Sequence, residues 1–163
     1  MSYVDKNLMD GEQVAYRTRR HWIIYQGSLF IFAIGLALFA AGQIWKDQQG
    51  AATVGLAALA LAAVLALVLA IPAWINRISS EFAVTNKRVI VKVGMIQRRS
   101  VETLLTKVEA IEVMQGIWGR LFNYGTIIVI GTGGTKEPFE RIAAPLDFRR
   151  KVQEQILALQ NIR

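Results

Sequence analysis

The stretch WIIYQGSLFIFAIGLALFAAGQIW at residues 22–45, with KDQQG at 46–50 and AATVGLAALALAAVLALVLAIPAWI at 51–75, governs how the rest of the chain is read. Neither long segment carries a charged residue. At 1.5 Å per residue, segments of 24 and 25 residues reach roughly 36 Å as helices, enough to cross a hydrocarbon core of about 30 Å with some tilt. Lipid admits only segments whose backbone N–H and C=O groups are paired internally, so these read as two spanning helices joined by a tight polar turn. A buried helical pair in a soluble core is the competing reading; a chain of 163 residues leaves too little else to cover both. A cleaved signal peptide is rejected too, because the uncharged run exceeds an h-region of about 7 to 15 residues and a second span follows at once.

The flanks orient the pair. Arg17, Arg19 and Arg20 precede the first span, Arg77, Lys87 and Arg88 follow the second, and the connecting turn holds only Lys46 against Asp47. Positive charge is retained on the cytoplasmic side, so both termini are expected there, at the bacterial inner membrane. Trp22, Tyr25, Trp45 and Trp74 stand near the span ends, where amphipathic rings favour the headgroup layer. Within the spans, Ala58, Ala62, Ala66 and Ala70 recur every four residues, and Ala33, Ala37 and Ala41 do the same in the first. Small residues at that spacing let helix backbones approach closely, which favours association in lipid. The two stripes are expected either to zip the hairpin to itself or to join neighbouring copies.

The net charge of +7 resides outside the spans. From Arg77 onward there are 14 Lys/Arg against 8 Asp/Glu. A basic domain tethered beside a bilayer most simply faces anionic lipid, at about 1 kcal/mol for each cation near the surface; no nucleic-acid motif is present, and no nucleic-acid partner is expected. The absence of cysteine excludes disulfides and thiolate sites, and with one histidine, His21, the usual zinc and general-base constellations are not expected.

Beyond the spans the hydrophobic period changes to two. Phe82 and Val84, then Val89, Val91 and Val93, alternate with Ala83, Thr85, Arg88, Ile90 and Lys92, which predicts two strands joined at Asn86-Lys87. A third strand is expected within Met95 to Leu104 and a fourth within Lys107 to Gln115. Gly116 to Gly125 is irregular and aromatic, with room for a short helical turn carrying Trp118, Leu121, Phe122 and Tyr124. Thr126 to Ile130 reads as a buried strand, and Glu137 to Ala144 as a last one with Pro138 at an edge. Phe148, Val152, Ile156 and Leu159 then form one apolar face of a final helix. The expected class is α+β: a two-helix transmembrane hairpin at 22–75, then an antiparallel barrel or sandwich at 76–163 capped by a C-terminal helix. Residues 1–21 are left open between an interfacial segment and an addition to that domain.

The run Val84-Thr85-Asn86-Lys87-Arg88-Val89-Ile90, with Gly94-Met95-Ile96, Arg98, Arg99, Ser100, Glu102, Lys107-Val108-Glu109, Gly119 to Thr126 and Gly131 to Gly134, resembles the bacterial pleckstrin-homology-like (YdbS-like) membrane proteins. The resemblance implies a PH-like fold, a bent antiparallel barrel capped by a helix, and says less about function. Eukaryotic PH domains bind phosphoinositides with basic residues around a long first hairpin loop. This chain departs from that pattern: its first hairpin turn, at Asn86-Lys87, is too short to wrap an inositol phosphate, so no such pocket is expected here. Arg17, Arg19, Arg20, Arg77, Lys87, Arg88, Lys92, Arg98 and Arg99 remain as cations able to meet lipid headgroups or simply water; Arg98 and Arg99 fall on opposite strand faces.

No enzyme signature is found. Glu109 and Glu112 lie on opposite faces of one strand, and the glycines Gly131, Gly133 and Gly134 precede Lys136-Glu137 where a phosphate cradle requires Lys-Ser/Thr. Catalytic residues, cofactors and metals are therefore not expected. The expectation is a non-enzymatic, self-associating membrane scaffold of several copies, with an anionic-lipid-binding module as the first alternative and an accessory subunit of a membrane enzyme or transporter as the second. Neither span carries an ionisable residue to mark a transport path through one copy.

Overall fold

The computed structural model describes residues 3–46, 48–94, 99–132, 134 and 136–161. In chain order these form α1 (Tyr3–Lys6), β1 (Val14–Thr18), a 3-10 turn (Trp22–Tyr25), α2 (Gln26–Ile44), α3 (Ala51–Ser79), β2 (Glu81–Thr85), β3 (Arg88–Val93) and β4 (Arg99–Leu104). After a second 3-10 turn at Leu105–Lys107 come β5 (Val108–Met114), α4 (Ile117–Leu121), β6 (Tyr124–Gly131), β7 (Lys136–Ala143) and α5 (Pro145–Asn161). Two compact units result, Trp22–Ile75 and a second one made of Met1–His21 with Asn76–Arg163.

The second unit is discontinuous because β1 belongs to it. Its four-stranded sheet runs β1-β2-β3-β4, with Tyr16 opposite Val84 and Thr18 opposite Phe82. The N-terminal residues thus add a strand to the domain, which extends beyond 76–163. A consequence follows for the turns: the β1–β2 connection is the apolar hairpin itself, and Asn86-Lys87 is the second turn, between β2 and β3. The short-first-turn reading of the sequence is corrected accordingly. That reading assumed that the domain's chain was continuous.

The other sheet, β5-β6-β7, is also antiparallel, and Pro138 lies in its outer strand, where a missing donor is tolerated. The sheets join at one corner, where Ala143 N–H donates to the Arg19 carbonyl at 3.1 Å, Thr18 Oγ1 to the Ala143 carbonyl at 2.7 Å, and His21 N–H to the Arg141 carbonyl at 2.7 Å. Among the described residues no ladder joins β4 to β5, where the chain passes through the Leu105–Lys107 turn, so the arrangement is an open α+β sandwich and not a closed barrel. Phe82, Val84, Val89 and Val91 from one sheet meet Ile127, Val129, Phe139 and Ile142 from the other, and α5 adds Phe148 and Val152. Full burial of such side chains stabilises by about 1.5–3 kcal/mol each. Phe82 and Phe139 pack edge to face at 5.9 Å, as do Tyr16 and Phe148 at 6.3 Å.

Sheet β2–β3 is covered on both faces. Ala83 and Ile90, on the face opposite the main core, are buried under Val4 of α1 with Tyr3, Leu8 and Val14 around it. The run expected as a buried strand at 126–130 lies in β6, and its burial alternates, with Ile127 and Val129 buried and Ile128 and Ile130 half-buried.

The first unit holds two helices long and apolar enough to cross a membrane, Trp22–Ile44 with 23 residues and Ala51–Ser79 with 29. Only 11% and 6% of their most apolar windows are buried by the chain. Soluble core helices are mostly covered; these leave Phe30, Ile34, Leu61 and Val64 open.

Candidate functional site

The helical hairpin is zipped by a seam that the alanine spacing only half reveals. On α2 the buried residues are Ser28, Gly35 and Gly42, seven apart, which return to one face after two turns. On the part of α3 within the hairpin they are Gly55, Ala62 and Ala66. A Cβ on Gly35 would collide with the Ala62 Cβ, and one on Gly42 would lie 2.7 Å from the Ala51 carbonyl oxygen. Glycine is required there by the closeness of α3, its Ala62 side chain at Gly35 and its backbone at Gly42. Ala58 and Ala70 are half-buried along the same side of α3. The α2 stripe lies elsewhere: Ala33 and Ala37 are exposed, and Ala41 is half-buried. The two alanine stripes therefore do not face one another, and Gly35 and Gly42, not Ala33 and Ala37, meet α3. Glycines at seven-residue spacing were the available signal.

The basic residues divide in the same way. Arg88 is buried at 6% exposure and is withdrawn from the candidates for headgroup contact. Its Nε donates to Glu12 Oε1 at 3.0 Å, Nη2 to Glu12 Oε2 at 2.9 Å and to the Asn7 carbonyl at 2.6 Å, and Nη1 to Glu102 Oε2 at 2.5 Å. Glu12 also accepts the Thr85 hydroxyl at 2.7 Å and the Met9 N–H at 2.8 Å. Burial alone would raise the Glu12 carboxyl, but these donors and the Arg88 charge outweigh it and hold its pKa at about 2. A buried charge persists when paired and fully hydrogen-bonded, and this cluster ties the N-terminal segment to β2, β3 and β4. Glu12 and Arg88 are 76 residues apart with the hairpin between them, and no local pattern announces their pairing.

Other candidates are engaged on the surface. Arg17 pairs with Asp5, Arg99 with Glu137 at 2.5 Å, Lys87 Nζ donates to the Asp10 carbonyl at 2.8 Å, and Lys92 stands 5.1 Å over the Tyr3 ring. Exposed pairs of this kind contribute about 0–1 kcal/mol and exchange partners readily. Arg98 lies outside the described residues. Arg19 is exposed and Arg77 half-buried.

At the joined corner the situation differs. Arg20 is half-buried, and its Nε is the buried side-chain atom left without a hydrogen-bond partner among the described residues. Burial and the neighbouring Arg141 charge both push the Arg20 guanidinium below its usual range, opposed by Glu140. Arg141 sits in a bulge: Gly125 pairs with Ile142 but Ile127 with Phe139, so two residues of β7 oppose one of β6, and Arg141 takes a left-handed φ of 57°. His21 stacks on Tyr124 at 5.3 Å, and burial followed by the Arg77 charge lowers its pKa, against a bond to the Phe122 backbone that raises it. Among the described residues no group of three or more His, Cys, Asp or Glu is placed to hold a metal ion.

Two antiparallel sheets of four and three strands, open at one corner and covered by a C-terminal helix, define a pleckstrin-homology-like domain. The bacterial PH domain profile matches residues 29–160, and the chain belongs to that family. The match takes in the hairpin from Leu29 and everything from β2 to the end of α5 but one residue, while β1 precedes it. No curated protein matches the chain.

Proposed function

We propose that this chain is a non-enzymatic protein of the bacterial inner membrane, whose hairpin and PH-like unit self-associate into a platform on the cytoplasmic side. The hairpin is uncharged apart from its turn, while the PH-like unit carries 18 Lys/Arg against 11 Asp/Glu, the asymmetry expected when positive charge stays in the cytoplasm. The observation that carries self-association is the unused small-residue face of α2. Because the intrachain seam runs along Ser28, Gly35 and Gly42, the Ala33–Ala37 face is left exposed. Apolar side chains gain nothing from leaving lipid for each other, so helix pairs form where small residues allow close backbone contact, and that face offers it to a second copy. The outer edges of β4 and β5, unpaired among the described residues, give the PH-like unit a further way to join copies.

Subunit counting by single-molecule photobleaching, on labelled full-length protein in vesicles at high dilution, tests this. Several steps per spot are expected for the natural sequence and fewer for the Ala33→Leu/Ala37→Leu double variant. Single steps for the natural sequence would overturn the proposal. The anionic-lipid reading loses Arg88 to the interior and finds Arg17 and Arg99 already paired with carboxylates. Its support concentrates at the Arg20–Arg141 corner.

A further inference from the structure

The α4 segment inverts the usual order of an amphipathic helix. It buries Gly119 and exposes Ile117 at 86%, Trp118 at 65% and Leu121 at 68%, with Phe122 just beyond it at 39%. The inward side has no room for anything larger: a Cβ on Gly119 would lie 2.6 Å from the Tyr124 carbonyl oxygen. Gln115 fixes the segment, its Nε2 donating to the Gly119 carbonyl at 3.2 Å and the Tyr124 carbonyl at 3.0 Å. Open grooves of about 300 and 890 Å³ flank it, the first lined by Trp118, Glu140 and Arg141, the second by Met114, Arg120 and Leu146. A rigid ridge of large apolar side chains is thus held away from the core.

Its position within the PH-like unit says what covers it. His21 is the last residue before the first apolar segment, and it stacks on Tyr124, donates its N–H to the Arg141 carbonyl and bonds to the Phe122 backbone. Chain continuity therefore brings the end of α4 to the point where the polypeptide enters the hairpin. Arg120 lies on the ridge itself, Arg141 lines a groove with Trp118, and Arg20, bridged to Ile142, neighbours Arg141 and has an Nε with no hydrogen-bond partner among the described residues. Aromatic and aliphatic side chains flanked by guanidinium groups are the composition of a segment lying in the headgroup–acyl boundary.

We propose that α4 is a third membrane contact, a wedge whose Ile117, Trp118, Leu121 and Phe122 enter the interface of the bilayer crossed by the hairpin, with Arg20, Arg120 and Arg141 meeting lipid phosphates. This rests on the membrane-spanning reading of the hairpin. The wedge would give the PH-like unit a contact with the bilayer besides the chain crossings of the hairpin.

The chain has no cysteine, so single-cysteine variants can be spin-labelled directly. Ile117→Cys and Leu121→Cys replace exposed side chains; Ile34→Cys in α2 serves as the span reference and Glu154→Cys on α5 as the aqueous reference. Each full-length variant is reconstituted in vesicles of phosphatidylcholine and phosphatidylglycerol, and collision with oxygen and with a water-soluble nickel chelate is measured by power saturation. The expected result is a depth of about 5–10 Å for both α4 labels, between the two references. Labels at 117 and 121 as open to nickel as the one at 154, with the label at 34 deep, overturn the wedge and leave the hairpin reading intact. Labels shielded from both reagents overturn it in favour of a protein occupant such as a second copy. A label at 34 that reads as aqueous overturns both readings together.

Discussion

Replacing Arg88 with methionine removes the guanidinium that neutralises Glu12 and keeps an unbranched apolar stem. Glu12 has a folded pKa of about 2 against an ordinary 4.5, and at about 1.36 kcal/mol per pH unit this is about 3 kcal/mol of stability at neutral pH. The sign follows from the lowered folded value: the contribution is complete above about pH 4.5 and disappears as the pH falls through about 2. Removing one partner of a buried pair costs about 3–5 kcal/mol, since the other charge is left uncompensated. The Arg88→Met variant is therefore expected to open its β2–β3 amides at least about 100-fold more often at pH 7, measured by hydrogen exchange on detergent-solubilised full-length protein. It should also show a flatter loss of protection between pH 5 and 2, because Glu12 no longer resists protonation. Glu12→Gln should cost less, since Arg88 keeps Glu102 and the Asn7 carbonyl. Exchange within threefold of the natural protein, or an unchanged acid slope, would refute the reasoning.

Gly35→Leu should lower the thermal unfolding midpoint of the hairpin in detergent, at an overpacking cost of about 1–3 kcal/mol or more, while Leu61→Ile, at an exposed position of α3 outside the seam, should leave it unchanged. Equal effects would mean that the seam is misassigned. Gly125→Ala sets a Cβ 2.7 Å from both the Met114 carbonyl oxygen and Gln115 Cγ, and about 1–3 kcal/mol of destabilisation is expected in urea unfolding; a neutral result would contradict the tight β5–β6 junction. His21, the sole histidine, should titrate below 6.5 by NMR, because burial and then Arg77 disfavour its charged form. With the folded pKa depressed, the PH-like unit loses stability as the pH drops below 6.5, and an upward-shifted midpoint would contradict the packing of His21 on Tyr124.

The elements themselves were legible where one local period sufficed. Phe82, Val84, Val89 and Val91 mark an inward face by alternation alone, and Phe148, Val152, Ile156 and Leu159 mark a helix face by spacing. What the sequence withheld is long-range pairing. Val14 to Thr18 is too short to identify its partner, and β2 lies beyond 54 intervening hairpin residues of the other unit, so the domain looked continuous when it is split. Arg88 read as one of several strand cations because Glu12, which buries it, lies on the far side of the same insertion. In the hairpin, Ala33-Ala37-Ala41 drew notice by number, yet backbone contact is made by glycines that have no side chain to separate the helices. Trp118 and Leu121 read as a short turn from composition; their outward orientation depends on Gly119 fitting against Tyr124, a tertiary matter.

Native mass spectrometry of the full chain released from lipid nanodiscs tests self-association most directly. The expected result is an assembly at an integer multiple, above one, of the 18.2 kDa chain, reduced to smaller species by Ala33→Leu/Ala37→Leu. A single 18.2 kDa species from nanodiscs large enough to hold several copies would contradict it.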